Sequence, residues 1–318
     1  MTKIRHWLAS ASVLMLAACA QSPAQQAEAE ESLPPYETPE SLAAATQGES
    51  DVAMWRVGDE DTTVYLLGTV HLLRQGTAWQ NDAFDTAFAA ADTIYLEADV
   101  TSPAAQAEMQ QLVPQLGMNP QGVTLSSYYD EEELAQLNTA LEPLGVTVAQ
   151  FDPFRPWLAG LTIGVLSLQK IGGDPAAGVE MLIAADAAEA GKTMRFFETP
   201  EQQIRMLAEG EDEEQADYLL ESAEDLSDME GFYARLIGAW YDGRPDVVGD
   251  TMNEAFKEVP GVAETLLYAR NRNWADELET LIETEEGTFL VAVGAGHLAG
   301  DNSLQDYLEE KGYEAERL

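Results

Sequence analysis

The sequence predicts an α/β (α+β) fold, with a central mixed sheet built from both ends of the chain and a large, mainly helical middle. Two observations carry this. Strongly apolar strand-like runs stand near the start and near the end, at 64–70, 93–96 and 288–293. Between Pro200 and Glu283 there is almost no strand pattern.

The elements follow in order. Met54 to Val57 and Val64 to Val70 flank a turn signal at Gly58 to Asp61, which reads as a β-hairpin. Asn81 to Ala91 places Phe84, Ala87, Phe88 and Ala91 on one helical stripe. Thr93 to Leu96 is a strand. Pro156 to Lys170 is long and apolar, and predicts a buried core helix. Gly178 to Ala190 predicts a helix with Val179, Leu182, Ile183 and Ala187 inward. Met194 to Phe197 is a weaker strand. Four or five helices fill 200–283, with boundaries near Gly210, Gly243 and Pro260. Thr288 to Val293, bounded by Gly287 and Gly294, is a strong strand, and Tyr313 to Leu318 is a candidate closing strand. Runs that are apolar on successive residues suit strands covered on both faces.

The N-terminus has a different logic. Lys3 and Arg5 precede the apolar run Trp7 to Ala18, which ends in Leu16-Ala17-Ala18-Cys19. A run this short cannot span a bilayer core, which takes about 20 apolar residues; it matches a signal peptide. Small residues before a cysteine suit a lipoprotein signal peptidase, so Cys19 is expected to carry a lipid. As Cys19 is the sole cysteine, an internal disulfide and a thiolate zinc site are excluded. Ala20 is not the aspartate that retains lipoproteins at an inner membrane, so the periplasmic face of an outer membrane is favoured. The expected organisation is a signal peptide at 1–18, a lipidated cysteine and flexible Ala/Gln/Glu/Pro/Ser-rich tether at 19–50, and a folded domain at 51–318. The tether's reach is about 30 Å by square-root scaling.

The chain carries a net charge of −41, with 57 acidic and 16 basic residues. Such a surface repels nucleic acid and anionic head groups, so no nucleic-acid partner is expected. The acids are spread over many segments, which points to solubility rather than to one cation site. The densest runs, at 131–133 and 211–214, suit solvated helix starts.

Of three histidines, His6 leaves with the signal peptide. His71 and His297 remain, each just after a strong strand and three residues after a glycine, in Gly68-Thr69-Val70-His71 and Gly294-Ala295-Gly296-His297. Ligand and catalytic groups of α/β folds sit at strand ends, and imidazole is both a metal ligand and an acid/base near neutral pH. Glu97 and Glu198 each end an apolar strand in the same way. Two imidazoles and two carboxylates suit a divalent metal such as Mn, Fe, Co or Zn, with no selection among them. There is no HExxH, no GxSxG and no phosphate-binding Gly-rich loop.

These pieces, with Leu96-Glu97, Glu198-Thr199, Glu201-Gln202-Gln203, Pro156-Trp157, Arg270-Asn271-Arg272 and Val293 to Leu298, resemble the TraB/GumN family over nearly all of Trp55 to Leu318. That family includes the TIKI proteins, membrane-tethered metal-dependent peptidases that trim Wnt N-termini. The resemblance implies a fold like the erythromycin-esterase and ChaN group. It implies that His71 and His297 are the paired GxxH histidines, Glu97 and Glu198 the acidic positions, and Arg270 the basic one. Many relatives have Asp where this chain has Glu180, so the resemblance assigns that position no role.

Two functions follow. One is a metal-dependent hydrolase of peptides or proteins. The histidines and one glutamate hold the metal, and the metal acidifies a bound water. The other glutamate takes the proton, Glu97 being set ahead of Glu198, and Arg270 steadies an oxyanion or a substrate carboxylate. The other function is a non-catalytic envelope protein that binds a metal or partner with the same residues.

Overall fold

The structure, a computed structural model, describes residues 42, 46, 48–223, 226, 229–256 and 260–318. Cys19 and the expected signal peptide lie outside the described residues. Of the expected tether, Leu42 and Thr46 are buried and Leu42 joins the main core, so the packed region reaches upstream of Asp51.

Six strands form one mixed sheet in the order β4-β3-β5-β2-β1-β6. They are β1 (Met54–Gly58), β2 (Thr62–Thr69), β3 (Thr93–Ala98), β4 (Thr193–Glu198), β5 (Gly287–Gly294) and β6 (Glu316–Arg317). The expected hairpin forms, with β1 antiparallel to β2 and Trp55 opposite Leu66. The late strand β5 slots between two early ones. β5 runs parallel to β2 on one side and to β3 on the other, pairing Leu290 with both Tyr65 and Ile94. β4 extends the parallel set beyond β3. The short β6 closes the far edge against β1.

Alternation along β5 explains the layers. Leu290 and Ala292 point into one core, whereas Phe289, Val291 and Val293 point into the other. The first core is covered by α1 (Asp82–Ala90), α4 (Pro156–Lys170), α5 (Val179–Ala190), α8 (Met229–Tyr241) and α9 (Pro245–Phe256). The second is covered by α11 (Ala269–Thr284) and α12 (Leu304–Glu310), through Trp274, Leu278, Leu304 and Leu308. A satellite core lies under α3 (Glu131–Leu141) and α7 (Asp212–Ala223), where the acidic runs open both helices as expected. Helices α2 (Pro103–Gly117) and α6 (Pro200–Ala208) pack together beside it, and α10 (Pro260–Ala263) leads into a π-helical turn at Glu264–Tyr268.

The helix at 179–190 corrects one expectation. Val179, Ile183 and Ala187 are buried, but Leu182 is 37% exposed. The inward stripe is taken instead by Glu180, 7% exposed, because that carboxylate has partners beneath the helix. Among the described residues, no helix is long and apolar enough to cross a membrane.

Candidate functional site

Strands β2, β5, β3 and β4 are parallel, so Thr69, Gly294, Ala98 and Glu198 end at one edge of the sheet. That edge gathers Glu97, Glu198, Arg270 and His297 into direct contact. His71 is near enough for its charge to act on Glu97 and His297.

Arg270, on the first turn of α11, is the hub. Its Nε and Nη2 donate to the two oxygens of Glu198, at 2.7 and 2.9 Å. Nη2 also donates to Glu97 Oε2 at 2.5 Å. Nη1 donates to the Leu266 carbonyl at 3.0 Å and to His297 Nε2 at 3.1 Å. All five guanidinium N–H groups are thereby engaged. The side chain is 6% exposed, and its Cζ lies 4.6 Å from the Trp274 ring centre. The π-helical turn at Glu264–Tyr268 leads directly into α11, two residues before Arg270, and carries the Leu266 carbonyl.

Glu97 is held on both oxygens. Oε1 accepts the backbone N–H of Gly294 at 2.7 Å, and Oε2 faces Arg270. Burial opposes its ionisation, but Arg270, then His297 and His71, and the Gly294 N–H hold it well below the usual carboxylate range. Gln203, on α6, donates to Glu198 Oε2 at 3.1 Å and ties that helix to the cluster.

His297 is fully buried. Asn271 Nδ2 donates to the Asn302 carbonyl at 2.8 Å, which turns its Oδ1 toward His297 Nδ1 at 2.6 Å. Nδ1 is therefore the protonated nitrogen, and Nε2 accepts from Arg270. Burial, and then Arg270, push the imidazole down to about 3, so it is neutral. Trp274 packs on its face at 4.4 Å between ring centres.

His71 has the same motif and a different setting. Its Nδ1 meets Glu180 Oε1 at 2.8 Å, and the Thr69 hydroxyl donates to the same oxygen. Burial opposes its protonation, but the Glu180 carboxylate and its hydrogen bond outweigh that and push the ring up to about 9. Nε2 is enclosed by protein and has no hydrogen-bond partner. A fifth of the side chain, 21%, still reaches the surface. Gly178 packs on the His71 backbone, where an added Cβ would lie 2.4 Å from its carbonyl oxygen.

Whether these residues fit the expected divalent metal can be tested atom by atom. Both oxygens of Glu198, both of Glu97 and both nitrogens of His297 are engaged, and Arg270 stands between the three side chains. Only His71 Nε2 is an unengaged donor atom in the expected set. Among the described residues, no group of three or more His, Cys, Asp or Glu side chains is placed to hold a metal ion. The arrangement does not fit one.

Three partners escaped assignment from the sequence. From the sequence Glu180 is only a departure from a family pattern; the signal that could have found it is its place beside Val179 at the start of a helix whose stripe is apolar at Val179, Ile183 and Ala187. Gln203 and Asn271 stand in the motifs quoted above, but an amide side chain reveals no partner until the fold supplies one.

The sequence profile of the TraB/PrgY/gumN family matches residues 53–317. Two curated relatives, each described as "Uncharacterized protein YbaP", come from Escherichia coli strain K12 and Shigella flexneri. Each is 24% identical to this chain over 245 residues, covering 77% of this chain and 87% of that protein. No solved structure matches. With the profile spanning the whole sheet and every residue of the charged cluster, the chain belongs to the TraB/PrgY/gumN family.

Proposed function

We propose that this protein is a lipid-anchored, extracytoplasmic hydrolase, peptidase-like in its chemistry, with His71 as the residue that moves the proton. The observation that carries this is the His71–Glu180 pair. A carboxylate holds Nδ1 and leaves Nε2 unpartnered, the base-and-orienter arrangement that acid–base catalysis needs. With the ring pushed up to about 9, Nε2 carries a proton at neutral pH. It can deliver that proton to the leaving atom of a bond cleaved by water, and the proton that the attacking water sheds then returns to Nε2, while Glu180 balances the charge of the ring. Glu97 is a poor proton acceptor in this scheme, because Arg270 stabilises its ionised form; Glu97 and Glu198 position the guanidinium instead. The scheme routes no step through a metal.

A binding-only role has one observation in its favour: Arg270 has no N–H left to steady an oxyanion. Turnover separates the two. The full chain is assayed on a peptide library beside His71→Ala, with and without chelator. Hydrolysis lost in the variant and kept in chelator supports the hydrolase. No turnover in either protein leaves the binder, and equal turnover in both removes His71 from the proposed role. The anchor, resting on Leu16 to Cys19, has its own test: Cys19→Ser should leave the precursor unprocessed or release it from membranes, and unchanged fractionation and mass would refute it.

A further inference from the structure

We infer that Arg270 is the resident cation of this centre: its guanidinium stands where a divalent metal held by Glu97, Glu198 and His297 would stand, and keeps one out. The inference does not depend on hydrolysis.

Three side chains aim donor atoms at one point. Glu97 directs Oε2 there, Glu198 directs both oxygens, and His297 directs the Nε2 lone pair. Two carboxylates and an imidazole form a common donor set for first-row divalent metals. The support behind them is also of the kind metal ligands have. Asn271 fixes the His297 tautomer through Nδ1, and the Gly294 N–H fixes Glu97 through Oε1.

The point is nevertheless built for a planar fork. Glu198 meets Nε and Nη2 side by side, one oxygen to each N–H, the parallel pairing that a planar guanidinium fork provides. Cζ of Arg270 lies over the Trp274 ring, and the Leu266 carbonyl takes the N–H that would otherwise be orphaned. Arg270 thus supplies the positive charge that the buried Glu97 and the part-buried Glu198 require. With the guanidinium removed, the same donors would face an empty space and a net negative charge.

The test is metal binding, not turnover. Full-length wild type, Arg270→Ala and Arg270→Lys are purified without added metal and titrated with Mn²⁺, Co²⁺ and Zn²⁺. Thermal unfolding and the metal retained after desalting are followed. Arg270→Ala should bind one ion per chain at least about tenfold more tightly than wild type, and gain thermal stability from it. Adding His297→Ala should abolish both effects. Arg270→Lys, which keeps a cation, should resemble wild type. An equimolar metal in wild type that Glu97→Gln removes would overturn the inference, as would a folded Arg270→Ala that binds no metal. Should Arg270→Ala not fold, the wild-type titration alone decides by the same criterion.

Discussion

His71 and His297 share a four-residue frame, a strand before it, and a place at the same edge of the sheet, yet they are held in opposite states. His71 keeps one nitrogen on a carboxylate and the other unpartnered, and its proton affinity is pushed up to about 9. His297 has both nitrogens engaged, sits against a guanidinium, and is pushed down to about 3. One is poised to give up a proton, and the other serves as a neutral acceptor inside a closed network. The difference lies in their neighbours. A local motif sets where an imidazole stands, whereas the sign of the nearest charge sets what it does.

The largest effect that would break this comparison is in catalysis. His71→Ala should lower peptide hydrolysis by about 10²–10⁴-fold, the usual loss for a proton-transfer residue. His297→Asn keeps a polar side chain in the network and should lose much less. Steady-state rates on a cleaved library peptide check both, and the opposite ranking would remove His71 from the proposed role.

Stability comes next. Arg270→Ala strands the buried Glu97 and the part-buried Glu198 and should cost about 3–5 kcal/mol in urea unfolding without metal. A loss below about 1 kcal/mol would mean that water reaches the cluster freely.

The pH dependence sharpens the contrast, because the two rings act in opposite senses. His71, raised above its ordinary 6.5, contributes stability that is present below pH 6.5 and lost as pH rises through about 9. His297, depressed below 6.5, contributes stability that is present above pH 6.5 and lost as pH falls toward about 3. Glu97, also depressed, adds to the acid-side loss. Denaturation midpoints across pH should therefore peak near pH 6.5. Glu180→Gln should flatten the alkaline limb and leave the acid limb standing. In the hydrolase, activity should persist below pH 6 and fall as His71 deprotonates near 9. A metal held by imidazoles would instead be released below about pH 6, so loss of activity on the acid side would favour the metal scheme.

The smallest expected effects concern the glycines beside each histidine. At Gly178 an added Cβ meets the rigid carbonyl of His71 at 2.4 Å, so Gly178→Ala should cost about 1–3 kcal/mol and disturb His71. At Gly296 it meets the Met252 Cε, also at 2.4 Å, but that is the end of a flexible side chain, and Gly296→Ala should cost less than about 1 kcal/mol. Thermal unfolding of both variants checks the ranking.

Much of the framework was legible beforehand. The hairpin at 54–69, the strands at 93–98 and 287–294 and the core helix Pro156–Lys170 follow from apolar runs and turn residues that act locally. The weak strand at 193–198 was visible too, although as an edge strand it is only half-buried. Helix α5 was placed correctly and faced wrongly at Leu182, because hydrophobic periodicity cannot foresee a carboxylate drawn inward by a partner. The strand-end rule brought out His71, Glu97, Glu198 and His297, and the family resemblance added Arg270.

By itself the sequence determined the elements, the two-ended sheet and the identity of the chemically interesting side chains, because propensity, periodicity and strand-end position are properties of neighbouring residues. Tertiary structure alone decided their states. Glu180 reaches the Thr69 hydroxyl across 111 residues and holds His71, and Arg270 reaches Glu97 across 173. Burial and charge act through space on whatever the fold brings within a few ångströms, and no spacing along the chain records which carboxylate will meet the guanidinium and which the imidazole.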